Sequence, residues 1–71
     1  MKFKDLRKVW AGNMYLIVKD GMETVHVFES VKPFDAVEKY PWLDNCEVWG
    51  IKAEMYISDD KVAATEVTIC K

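Results

Sequence analysis

The chain carries one histidine, His26, and two cysteines, Cys46 and Cys70. Any nucleophilic or metal chemistry would have to start there. A zinc site asks for clustered thiols and imidazoles, and a Cys–His nucleophile asks for a base within hydrogen-bond reach. The two cysteines have no CxxC spacing and no second histidine to work with, so no metal ligand is assigned and the thiols read as inert strand-end residues. Ser30 and Ser58 fall in expected loops with no base to activate them, so no catalytic residue is assigned and an enzyme is not expected. Asp59-Asp60 reads as a turn pair, because a divalent cation would need more oxygen ligands at closer spacing. Gly12, Gly21 and Gly50 suit a helix end, a turn and a strand rather than a phosphate-binding loop, so no cofactor is expected. His26 reads as a half-exposed strand residue, with a ligand contact or a pH response as the functional alternative.

With chemistry thin, composition sets the function classes. The 71 residues suit one domain, 1–71, and a chain this short buries only about 60% of its unfolded surface. It is 51% apolar and 13% aromatic, so either the core is dense or part of the apolar surface serves an interface. Net charge is −2, against the basic footprint of a general nucleic-acid binder. Lys2, Lys4, Arg7 and Lys8 form a local basic cluster that reads as a solvated helix face. No apolar run after Met1 suggests a secretory signal, and no stretch approaches the ~20 apolar residues of a membrane span. The expectation is a cytoplasmic protein with reduced thiols and no membrane association.

The strongest local signal is Met14–Phe28, two β-prone runs around Asp20-Gly21, which predicts a hairpin. With Lys19 facing Met22, Leu16 would face Val25 and Met14 would face Val27, and that side is expected to be the core side. Before it, Lys2–Trp10 predicts a helix burying Phe3, Leu6 and Trp10, ended by Gly12-Asn13. After it, Pro33–Tyr40 predicts a second helix that opens on proline, buries Phe34 and Val37, and stops before Pro41. Trp42 follows as a hydrophobic plug at the helix end, or as an interface anchor if exposed. Glu47–Ile57 alternates apolar residues Trp49, Ile51, Ala53, Met55 and Ile57, and pairs with Val62–Cys70 across a Ser58-Asp59-Asp60 turn. That register sets Ile51 opposite Val67, Trp49 opposite Ile69 and Cys70 opposite Val48, with the two thiols too far apart for an unstrained disulfide.

The predicted fold class is α+β, in the order αββαββ: a four-stranded antiparallel-rich sheet with two short helices on one face. The expected core is Phe3, Leu6, Trp10, Leu16, Val18, Val25, Val27, Phe34, Val37, Trp49, Ile51, Met55, Val67 and Ile69. The uncovered face would carry Tyr15, Ile17, His26, Phe28, Val48 and Tyr56, which with Trp42 form the expected interaction surface.

The opening Phe3-Lys4-Asp5-Leu6-Arg7-Lys8-Val9, the Leu16-Ile17-Val18-Lys19-Asp20-Gly21 hairpin start and the Glu47-Val48-Trp49-Gly50-Ile51 strand resemble short uncharacterised proteins of phages and mobile elements of Gram-positive bacteria. That resemblance implies an accessory or host-modulating role and brings no activity with it. The expected function is a non-catalytic module that self-associates or binds a protein through its open sheet face or a strand edge. The alternative is a single-stranded nucleic-acid platform stacking bases on Tyr15, Phe28 and Tyr56.

Overall fold

A computed structural model of the protein describes residues 1–56 and 63–71, with side chains described over 1–52 and 65–71. In chain order the elements are α1 (Phe3–Val9), β1 (Met14–Asp20), β2 (Glu23–Val31), α2 (Pro33–Lys39), a short 3-10 helix (Pro41–Asn45), β3 (Glu47–Tyr56) and β4 (Ala63–Cys70). The fold is a small α+β domain with a four-stranded mixed sheet ordered β2-β1-β4-β3. The β1–β2 and β3–β4 ladders are antiparallel, and the central β1–β4 ladder is parallel. The predicted turn Ser58-Asp59-Asp60, with Ile57, lies outside the described residues, as do the side chains of Met55 and Tyr56.

The two central strands, β1 and β4, bury their inward faces completely. Met14, Leu16 and Val18 of β1 and Val67 and Ile69 of β4 are fully buried on one face. Leu16 lies beside Val67 and Val18 beside Ile69. Phe3 and Leu6 of α1, Ala36 of α2 and Leu43 of the 3-10 helix close over them in one cluster. Both helices therefore cover the same face. Neither would persist alone at seven residues, so docking on the sheet holds them in place. Asp5 and Asp35 in their first turns and basic residues in their last suit the helix dipole.

α2 presents a different stripe from the one predicted. Pro33 and Ala36 are buried and Val37 and Tyr40 half-buried, while Phe34 is 68% exposed. The spacing 33-36-37-40 is itself a helix face, and it buries Ala36 in the core cluster. Leu43, not Trp42, is the buried plug of the helix end.

The outer strands depart most from expectation, and for one reason. The hairpin turn is Gly21-Met22 between paired Asp20 and Glu23, with Gly21 at φ 62°. That displacement alone would leave the faces as predicted. Val25 then bulges, so that Thr24 pairs with Lys19 but His26 pairs with Val18 and Phe28 with Leu16. One extra residue exchanges the faces beyond it, until a second irregularity between Phe28 and Val31 pairs Val31 with Met14 and turns that residue back to the core side. Val25 and Val27, expected in the core, are exposed, and His26 and Phe28, expected on the open face, turn toward the helices. A larger aromatic area is covered as a result than two valines could offer.

The same device acts at the other edge. A bulge at Trp49 sets Val48 opposite Ile69 and Gly50 opposite Thr68, while Ile51 still faces Val67 as predicted. Val48 thus joins the core side, and Trp49 is 55% exposed. Ile51 is on the core side but half exposed at an edge strand. Cys70 pairs with Glu47 rather than Val48, and both cysteines are buried and free. At this edge the N-terminal residues add a short antiparallel stub. Lys2 bridges Glu47, the Val48 amide donates to the Met1 carbonyl (2.8 Å) and the Phe3 amide to the Cys46 carbonyl (2.9 Å).

Candidate functional site

Among the predicted surface residues, the structure leaves Tyr15 and Ile17 on the open face, both half-buried between neighbouring strands. A row of backbone partners crosses all four strands there, from Val27 through Ile17 and Thr68 to Gly50. Beside it runs a second row, Tyr15, Glu66 and Lys52. Val27 completes this face and was missed because the period-2 reading placed it inside. Four strands at about 4.8 Å spacing and seven residues at about 3.3 Å rise make a face of roughly 400 Å². On it Val27, Ile17 and Tyr15 are the apolar or aromatic residues, set among Thr68, Gly50, Glu66 and Lys52. No helix packs on it among the described residues.

His26, Phe28 and Trp42 come together elsewhere, at the helix-covered end of the sheet. The His26 ring stands 4.7 Å from Tyr40 and 5.9 Å from Trp42, centroid to centroid, and Phe28 meets Tyr40 edge-on at 6.1 Å. Tyr40 and Trp42 flank Pro41, which ends α2 and opens the 3-10 helix, so the proline swings the second ring back beside the first. Such pairs contribute about 0.5–1.5 kcal/mol each beyond their burial. This arrangement makes the cluster a packing device on one side, with Trp42 half-buried at its rim. Tyr56 ends β3 with its backbone paired to Ala63.

The rim of Trp42 opens on a cleft of about 310 Å³ lined by Trp42, Asn45, Cys46 and Lys71. The Lys71 ammonium lies over the indole, 4.4 Å from its centroid. The Cys46 thiol donates to the Trp42 carbonyl at 3.8 Å, and burial pushes its pKa up, opposed by the charges of Lys71 and Lys2. The acidic groups nearby are occupied. Asp44 is held by Arg7, and Glu47 lies 3.2 Å from the Lys2 ammonium and 3.5 Å from the N-terminal amine. Lys2 and the terminal amine keep the Glu47 carboxyl below its ordinary value, Lys2 foremost through its hydrogen bond. Asn45, Cys46 and Lys71 were not singled out for this cleft from sequence. They come from the end of the 3-10 helix and the end of β4, and no periodic pattern links those positions.

Among the described residues no group of three or more His, Cys, Asp or Glu side chains is placed to hold a metal ion, and no helix is long and apolar enough to cross a membrane. Set against protein-family models, curated proteins and solved structures, the chain matches none.

Proposed function

We propose that the protein is a non-catalytic interaction module that self-associates through its open sheet face. The observation that carries this reading is the row Val27, Ile17, Thr68 and Gly50, flanked by Tyr15, on a face with no helix over it. Apolar side chains placed there gain nothing from the protein's own core, and burying them against a second copy gives about 25 cal/mol per Å². Lys19 and Lys52 supply a polar margin of the kind such an interface uses, and Glu66 stands beside Tyr15 within the face. An accessory role in a phage or mobile element, in the cytoplasm, is the setting this module suits, on the strength of the resemblance described above. The nucleic-acid platform loses support, because Phe28 faces the helices and the net charge is −2.

Light scattering on the eluting protein tests the proposal. The wild type should run as a dimer at tens of micromolar, and Tyr15→Glu with Ile17→Lys should run as a folded monomer. A wild type that stays monomeric up to the millimolar range removes self-association.

A further inference from the structure

Gly50 sits in the interior of β3, where a glycine costs stability through lost backbone freedom and offers no side chain to pack. Neither of the usual internal reasons for one applies. Its φ is not positive, so the bulge beside it makes no use of glycine's backbone freedom. No described atom lies within 4 Å of where its Cβ would stand, so the protein's own packing does not require its smallness. The remaining reason is the close approach of another molecule. Gly50 pairs with Thr68, so this notch faces the open side, while Val48 opposite Ile69 and Ile51 opposite Val67 face the core. The same bulge supplies a counterpart. Trp49 follows the inward Val48 and turns to the open side at the margin of that face, where it is 55% exposed. Two successive residues thus share one side, a large projection next to an empty position.

We propose that a second copy of this chain docks on the open face as a two-fold pair, with Trp49 of each copy filling the notch at Gly50 of the other. This rests on the self-association proposed above and names the contact that makes it specific. A hole alone would suit any chain with a projecting side chain. A hole with the matching projection beside it suits a second copy, because a two-fold interface joins a patch to itself. An axis running across the strands, over the row Gly50, Thr68, Ile17 and Val27, carries each indole to the other copy's glycine and sets Ile17 and Val27 against their equivalents. Two faces of roughly 400 Å² each, with the exposed parts of two indoles, come to about 1,000 Å². That is the area at which specific pairing begins, so the dimer is weak and depends on its tryptophan anchors.

The test is sedimentation equilibrium of the wild type, of Gly50→Thr, of Trp49→Thr and of an equimolar mixture of the two variants. Both positions are exposed and threonine suits a strand, so both variants should fold, and Gly50→Thr should raise the thermal midpoint of dilute protein. Each variant alone should associate about tenfold more weakly than the wild type. The mixture should associate more tightly than either variant, because Trp49 of the Gly50→Thr chain still finds Gly50 of the Trp49→Thr chain. A wild-type dimer that Gly50→Thr leaves equally strong, or a mixture no tighter than its components, would overturn this contact and leave self-association through the open face standing. A chain that fails to fold with either substitution would show that the position serves the protein's own packing, and would overturn the contact as well. A wild type that stays monomeric up to the millimolar range removes both.

Discussion

Arg7 and Asp44 stand 37 residues apart in sequence and meet in a two-pronged ion pair, with Nε donating to Oδ1 at 2.7 Å and a terminal guanidinium nitrogen donating to Oδ2 at 2.9 Å. The pair ties the last turn of α1 to the 3-10 helix. Both sides are about a quarter exposed, so the bond is only partly screened by water. It is the polar fastening of a lid whose apolar fastenings are Phe3, Leu6 and Leu43.

The hydrogen bonds from Arg7, then its charge and those of Lys4 and Lys8, hold the Asp44 carboxyl below the ordinary carboxylate range. The folded state therefore takes up this proton less readily than the unfolded chain. Its stabilisation is complete above the unfolded value, about 3.9, and is lost as pH falls through the lower folded one. Asp44→Asn should lower the urea midpoint at pH 7, and the gap from wild type should close in strong acid. A gap of constant size from pH 7 to pH 2 would contradict the assignment. In a double-mutant cycle with Arg7→Gln, the two single losses should sum to more than the loss in the double mutant.

Leu43 is fully buried and Phe34 is 68% exposed, although the sequence favours Phe34 as the core residue. Leu43→Ala should cost about 2–5 kcal/mol by leaving a cavity under the helices. Phe34→Ala should change stability by no more than about 0.5 kcal/mol. Chemical denaturation of both variants decides the point, and a larger loss at Phe34 would reverse the packing described for α2.

Cys46 and Cys70 are both buried, and desolvation raises the Cys46 thiol pKa. The reactive thiolate is therefore scarce at Cys46 near pH 8, and access is closed by the fold. Native protein should react with a thiol reagent far more slowly than urea-unfolded protein. Equal rates before and after unfolding would show that neither thiol is sheltered.

Gly21 occupies φ 62° in the hairpin turn, with open space where a Cβ would stand. The cost of a side chain there is conformational only. Gly21→Ala should destabilise by about 1 kcal/mol, and Gly21→Asn by less, because asparagine tolerates the left-handed region. Met22→Lys, at a side chain 93% exposed, should be neutral. Thermal midpoints distinguish these three, and a neutral Gly21→Ala would contradict the positive φ at Gly21.

The sequence by itself determined the two helices and four strands and their order, though not the 3-10 helix after Pro41, because amphipathic periodicity, Pro33, Pro41 and the Gly21 turn are local signals. It also determined the inward faces of the central strands, where Leu16, Val18, Val67 and Ile69 are buried as their alternation requires. Ile51 opposite Val67 was legible as well. The candidate surface was half legible. Tyr15 and Ile17 sit on β1 and were placed correctly, whereas His26, Phe28 and Val48 sit on edge strands and were not. Tertiary structure alone decided the bulges at Val25 and Trp49, the parallel joining of β1 to β4, and the meeting of Trp42 with Lys71. A bulge is a shift of one residue that leaves composition and turn signals untouched. Its gain comes from what each face then packs against, and that is settled only when strands and helices distant in the chain come together.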